Sequence, residues 1–228
     1  MEKPFAIPSG LAHLAMISRI NAENRKASEE LLRKQESDLR VLGIALNALY
    51  QAGTCHRRCV GGDHILEALG ARIYNLACAS YSLVSVGFYD EALSLIRSIG
   101  EIANLLSLSV NNKPKFVEWI RSTKSERIRE FSPAKVRKLL SDSCLVLMDE
   151  TWYSELCESY THITPSARPN SFNDDKRNIC GGIVQAQGVE RAIGQLSELV
   201  SMVALFYCRY FDLEDLFEEI VKEAKLEG

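Results

Sequence analysis

The sequence has little excess charge and no long apolar run. Its 27 lysine and arginine residues against 30 aspartate and glutamate residues leave a formal net charge of −3. Such a balance implies no general electrostatic attraction to nucleic acid or to a membrane surface. The longest apolar run, residues 199–208, is about half of the roughly 20 residues that a membrane-spanning helix needs. The N-terminus also lacks the charged-then-apolar layout of a signal peptide, so we expect a soluble, cytoplasmic protein with no membrane partner.

Several kinds of chemistry lack the motifs they need. Gly181-Gly182 follows a polar segment and has no lysine after it, so there is no phosphate-binding P-loop. The paired Glu-x-x-His motifs of a di-iron bundle are also missing. Seven cysteines are an odd number, and several lie within apolar helical patterns; we interpret them as reduced thiols that serve mostly as small core residues. Cys157 is one of these.

Apolar residues recur at steps of three and four along most of the chain, and no segment resembles a strand. The fold class predicted is all-α: a bundle of four to five long helices with short connecting helices. We expect an N-terminal arm at residues 1–21 and a single all-helical domain at 22–228 with its core at about 64–210. The predicted helices cover residues 22–52, 64–86, 91–110, 116–120, 134–140, 144–160, 183–210 and 213–226.

The polar segment 166–182 interrupts this pattern with charged residues, a proline and paired glycines. Loops of this length inside a compact domain are usually functional or mobile. We expect a long exposed loop here.

The helix at residues 92–110 carries only two charges, Arg97 and Glu101, which are four positions apart and therefore neighbours on one helix face. Apolar residues occupy its other sides, so we expect the helix to be buried together with the charged pair. One interpretation is a buried ion pair that fixes helix packing, with Asn104 next on the same stripe. The other is that Arg97 binds an anion such as phosphate and that Glu101 orients it.

A second candidate group lies at residues 153–166, where His162 stands at the predicted end of a helix. A histidine there interacts favourably with the helix dipole without any further role. Glu158 precedes His162 by four, so its carboxylate could hold the ring and raise its basicity. With Arg97 and the nearby Tyr153 and Tyr160, this set would suffice for metal-independent RNA cleavage: the histidine takes the 2′-hydroxyl proton and the arginine stabilises charge on phosphorus.

A third candidate is the linker Cys55-His56-Arg57-Arg58-Cys59, followed by His64. Two thiols and two imidazoles could in principle bind zinc. The three-residue gap between the thiols and the lack of a second paired cluster favour a basic, solvated loop. We therefore expect no bound metal and no cofactor. The two arginines could equally contact an acidic face of a partner.

Two motifs together carry a family resemblance. Ala92-Leu93-x-Leu95-x-Arg97-Ser98-x-x-Glu101, followed by Tyr153-x-x-Leu156-Cys157-x-x-x-x-His162-x-x-Pro165-Ser166, resembles a family of bacterial helical proteins of unknown function that is distantly similar to HEPN domains. The resemblance covers about residues 64–210. The Arg-x(4 to 6)-His motif of HEPN nucleases does not occur around His162, and its formal match at Arg58 and His64 straddles the glycine linker.

The resemblance implies a small α-helical bundle of one of two kinds. Many HEPN domains are dimeric, metal-independent RNases of toxin–antitoxin and antiviral systems, whereas others have lost catalysis and serve as binding modules. We therefore weigh two predictions. In the first, Arg97, Glu101 and His162 line a polar pocket for RNA or another phosphate-containing ligand. In the second, the stripe of the last long helix, residues 189–210, forms a homo-oligomer or protein-partner interface, and the polar residues are structural.

Overall fold

The computed structural model describes residues 7–59, 61–140, 146–162, 164–165, 172 and 179–225. These residues form ten α-helices and no strand, which confirms the predicted all-α class for the described part of the chain. The helices are α1 Leu11–Lys34, α2 Glu36–Gly53, α3 Ile65–Ser85, α4 Tyr89–Asn111, α5 Lys113–Arg121, α6 Lys124–Glu130, α7 Pro133–Leu140, α8 Glu150–Leu156, α9 Ala186–Tyr210 and α10 Glu214–Glu223. A single π-helical turn, Cys157–Thr161, continues α8.

Helix α4 lies at the centre of the molecule and contacts α3, α5, α7, α8 and α9. Ile96, Ile99 and Ala103 on its inner face are fully buried, as the apolar pattern predicts. α3 and α4 form the expected hairpin, and Gly87 makes the turn in the left-handed region with φ 87°. The core also includes Leu42 of α2 and Ile220 of α10, so it extends beyond the expected limits of 64–210 because α2 and α10 both pack against α9.

The first half of the chain differs from prediction. A single helix over residues 22–52 is wrong: the chain breaks at Gln35, and α1 begins at Leu11 within the expected arm. The two helices have different neighbours. α2 packs into the core, whereas α1 is held at the α3–α4 turn by polar side chains: Ser28 Oγ donates to the Ser85 carbonyl at 2.8 Å, and Asn24 donates to the Gly182 carbonyl at 2.8 Å.

The predicted helix 144–160 begins later than expected. α8 starts at Glu150 because the Asp149 side chain caps it, accepting from the Trp152 amide at 2.8 Å. Before the cap, Met148 is fully buried against α4 in a non-helical conformation. If the residues just before Asp149 were helical, Met148 would lose its buried contact with α4.

The apolar stripe of α9 is buried within the chain's own core. Its predicted interface residues are at most 1% exposed, apart from Tyr210; they are Val189, Ile193, Leu196, Val200, Val203 and Tyr207. They pack against α2, α3 and α4. The prediction that this stripe meets a partner is therefore wrong for these residues, because the monomer's core already covers them.

Helix α4 is long and apolar enough to cross a membrane by length and composition alone. Half of its most apolar window is buried inside the protein, as in the core helix of a soluble protein, so this is weak evidence for a membrane span. Most of the predicted loop 166–182 lies outside the described residues.

Candidate functional site

Arg97, Glu101 and Tyr153 form a closed polar triad between α4 and α8. Arg97 Nη1 donates to Glu101 Oε1 at 2.6 Å and to the Tyr153 hydroxyl oxygen at 2.9 Å, and that hydroxyl donates to the same Glu101 oxygen at 2.9 Å. The i, i+4 spacing on α4 brings the two charges together as predicted. Their side chains retain 17% and 31% exposure, so the pair is only partly buried and not enclosed as expected. The pair lies at the edge of the core, where α8 covers it only in part.

Arg137 of α7 joins this triad, and sequence reasoning did not find it. Its guanidinium carbon lies 4.0 Å from the centre of the Tyr153 ring, which is the distance of a cation–π contact. Arg137 also pairs with Glu150, with 2.7 Å between Nε and Oε2. The only sequence signal for this contact is Arg137 itself, a charge on the amphipathic helix α7 that packs against α4.

The charges of this group compensate one another. Arg97 faces Glu101, and Arg137 faces Glu150. Burial alone would lower the pKa of Arg97, but Glu101, Tyr153 and Cys157 outweigh it, so that its pKa is raised. Burial, followed by hydrogen bonding to Cys157 and Glu101, raises the pKa of Tyr153 well above its ordinary value. Arg97 therefore stays charged and Tyr153 stays protonated at neutral pH.

His162 does not join the triad. It is exposed at the end of the π-helical turn, and its side chain forms no hydrogen bond or ion pair with Arg97 or Glu101. The turn is closed by the His162 amide and the Cys157 carbonyl, 2.8 Å apart across five residues. A π turn removes the i, i+4 register that would bring Glu158 to His162. Glu158 is exposed and forms no ion pair with the ring.

The two remaining predicted ligand residues have structural partners. Asn104 is buried, and its side chain accepts from the amides of Leu147 and Met148 at 3.0 and 3.2 Å and donates to the Met148 carbonyl at 2.8 Å. It therefore holds the segment before α8 rather than a ligand. Tyr160 is half-buried and stacks on Phe172, with the ring centres 6.2 Å apart.

An apolar groove of about 600 Å³ opens between α4, α9 and α10. Sequence reasoning missed it because its residues come from elements far apart in the chain. Most of the lining is apolar: Leu106, Val110, Leu147, Met202, Leu205, Phe206, Tyr210 and Phe217. At its rim, Val110 is 57% and Tyr210 44% exposed. Concave, mostly apolar surfaces of this kind are where proteins commonly bind ligands or partners.

The linker between α2 and α3 contains the residues that could hold a metal ion. The ligating atoms of Cys55, Cys59 and His64 all lie within 4.8 Å of one another. The two arginines between the cysteines bind within the chain: Arg57 pairs with Asp215 at 2.6 Å, and Arg58 pairs with Asp212. The two ion pairs therefore attach the linker to the start of α10, while residues 56–59 and 61–64 remain exposed, as expected for a basic, solvated loop.

Comparison with known proteins finds no family model, no curated protein and no solved structure that matches this chain. Functional inference therefore rests on the geometry of the triad, the groove and the linker.

Proposed function

We propose that this chain is a non-catalytic, self-associating helical binding module of HEPN-like type, and that the groove between α4, α9 and α10 is the interface between two copies. The observation that carries this proposal is an apolar groove whose rim residues, Val110 and Tyr210, expose about half of their surface. Leaving such a surface in water forgoes roughly 25 cal/mol for each Å² of apolar area that a partner would cover.

A second copy of the chain is the partner that we propose for this surface. The groove has a mostly apolar lining, and Val110 and Tyr210 in that lining keep a large exposed apolar area. In a two-fold dimer each patch meets its own copy, so the rim of one subunit can fill the groove of the other. The family resemblance points the same way, since many HEPN domains are dimers.

The polar triad supports the non-catalytic part of the proposal. Arg97 is neutralised by Glu101, and the exposed His162 makes no contact with either. An arginine already held by a carboxylate and a phenol attracts an anionic ligand weakly, and general base catalysis needs the base within hydrogen-bond reach of the reacting proton. We therefore interpret the triad as the contact that fixes α8 against α4.

Light scattering of rim variants tests the proposal. Val110→Glu and Tyr210→Glu place a charge in the groove interface, and both positions are exposed enough in one chain to leave folding intact. We expect wild type to have the mass of a dimer and each variant to dissociate at least tenfold more readily. Ile128→Glu is the matched control, because Ile128 is 67% exposed on α6, away from the groove. A monomeric wild type, or dimers that survive both rim substitutions, would contradict the proposal.

A second candidate function is metal-independent RNA cleavage in a cytoplasmic toxin–antitoxin or antiviral system, with RNA phosphate bound at Arg97. One observation favours it: Arg97 Nε and Arg137 Nη1 are buried near the Tyr153 ring and have no hydrogen-bond acceptor among the described residues. Unsatisfied buried donors cost free energy, and a phosphate oxygen could accept from them.

Incubation with a mixed RNA pool in EDTA separates the two candidates. Cleavage that is lost in both His162→Ala and Arg97→Lys would support the nuclease; the lysine keeps the charge but loses the guanidinium fork. Absence of cleavage, or cleavage indifferent to both substitutions, would support the binding module. Circular dichroism of each variant shows whether a loss of cleavage reflects unfolding.

A further inference from the structure

We infer that the α2–α3 linker is a zinc site, with Cys55, Cys59 and His64 as ligands and Glu67 of α3 as the fourth. This inference does not depend on the proposed function. The three ligating atoms lie within 4.8 Å of one another, and Cys55 Sγ is 3.8 Å from His64 Nδ1. Tetrahedral zinc with the usual Zn–S and Zn–N bond lengths places neighbouring ligand atoms about 3.4 to 3.8 Å apart. The linker therefore already has nearly the spacing that an ion requires.

Glu67 is the observation that points most directly to a cation. It is only 4% exposed, and its Oε1 lies 3.2 Å from His64 Nδ1 and 4.0 Å from Cys55 Sγ. No lysine or arginine in the described part of the chain forms an ion pair with it. Its ion-pair partner is His64, which carries a charge only when protonated, and a buried carboxylate with no permanent positive partner is costly. A divalent ion between Glu67 and the two thiols would supply the missing charge.

The backbone of the linker also converges on this point. Cys55 and His64 both have φ in the left-handed region, 52° and 53°, which residues other than glycine rarely adopt. Two glycines between them, Gly61 and Gly62, also have positive φ and bring the chain back toward α3. The ion pair of Arg57 with Asp215 fixes the linker from outside. The ligands therefore meet because of the path of the chain, which the spacing of the cysteines alone does not reveal.

The donor set selects the metal. Two thiolates, an imidazole and a carboxylate suit zinc, whereas magnesium and calcium prefer oxygen ligands only. On binding, the two thiols lose their protons to solvent and the ion takes their place, so uptake releases two protons for each zinc. Glu67 lies near His64 and Cys55 but outside the group of three mutually close ligating atoms, so its carboxylate would move toward Cys59 to complete the four-ligand shell that is typical of structural zinc. The ion would tie the end of α2 to the first turn of α3.

Metal titration of the reduced full-length chain tests this inference. We expect wild type to bind one zinc per chain, and cobalt in its place to show the thiolate charge-transfer absorption of a tetrahedral site. Cys59→Ser should weaken zinc binding at least 100-fold, and Glu67→Gln by about 10- to 100-fold. Cys59 is exposed, so its substitution leaves the fold intact even if Cys55→Ser does not.

Two control variants change residues that are not proposed zinc ligands. His56→Asn changes the neighbouring imidazole, and Cys180→Ser removes an exposed thiol that does not belong to the group; both should bind zinc as wild type does. Failure of the reduced wild-type chain to bind zinc or cobalt would overturn the inference. So would binding that Cys59→Ser leaves unchanged, or a Cys55–Cys59 disulfide whose reduction restores no metal uptake.

Discussion

Tyr153 is the residue on which the polar contacts of α4, α7 and α8 converge. Its hydroxyl accepts from Arg97 and donates to Glu101, while its ring lies under Arg137. Each member of this group satisfies a hydrogen bond of another. Removing one of these side chains leaves the others partly without hydrogen-bond partners in a half-buried position. The resulting loss of stability therefore cannot be assigned to any single hydrogen bond.

Substitution of the triad should therefore be non-additive. We expect Glu101→Gln and Tyr153→Phe each to lower the free energy of unfolding by about 1 to 3 kcal/mol, because each leaves a buried partner unsatisfied. The double variant should lose less than the sum by about 0.5 to 3 kcal/mol, measured by urea unfolding. Glu118→Gln, in the exposed pair with Lys115, is the control and should change stability by less than about 0.5 kcal/mol. Additive losses at Glu101 and Tyr153 would show that the triad is not one unit.

The sequence predicts only some of the contacts among these side chains. The spacing of Arg97 and Glu101 predicts their contact because the regular helix α4 carries both. Tyr153 reaches them because the Asp149 cap sets where α8 begins, which a periodicity argument cannot locate. His162 depends on the turn that ends this helix, and the π-helical turn there changes the register by one residue.

Two glycines of α9 have different surroundings, and substitutions at these positions test how closely the helix packs on its neighbours. A Cβ at Gly188 would lie 2.3 Å from the buried Tyr89 ring, whereas a Cβ at Gly194 meets nothing within 4 Å. We expect Gly188→Ala to destabilise the protein by about 2 kcal/mol or more, through displacement of Tyr89. Gly194→Ala should stabilise it by about 0.5 to 1 kcal/mol through helix propensity. Chemical denaturation of the two variants side by side measures both, and equal effects would contradict the close packing of α9 on Tyr89.

Helices with an apolar stripe were predictable, and helices held by polar contacts were not. α3, α4 and α9 bury their stripes in the core and lie close to their predicted ranges. α6 has no buried residue, so it shows no stripe; its signal is the capping box of Thr123 and Glu126. The break at Gln35 has neither glycine nor proline to mark it, and the hydrogen bonds that position α1 join residues far apart in the chain.

The core as a whole makes the molecule sensitive to high pH. Burial raises the pKa of Cys208 from 9.0 to about 12, and burial also raises the pKa of Tyr89. The folded chain thus keeps protons that the unfolded chain releases, so these groups stabilise the fold fully below pH 9 and lose that contribution as pH rises toward 12. The loss is at most about 1.4 kcal/mol per pH unit for each group. Thermal unfolding from pH 7.5 to 10.5 should show a falling midpoint above pH 9, and a flat or rising midpoint would contradict this account.

At the scale of the whole molecule, we propose that the protein self-associates through the groove between α4, α9 and α10. Hydrogen exchange of the wild-type chain at two protein concentrations, below and above the association range, tests this most directly because it needs no substitution. Burial of the groove by a second copy suppresses local opening there. We predict slower exchange at the higher concentration in residues 106–111 and 202–217, with α1 unchanged. Identical exchange at both concentrations in these segments, or protection confined to α1 or α6, would contradict the claim.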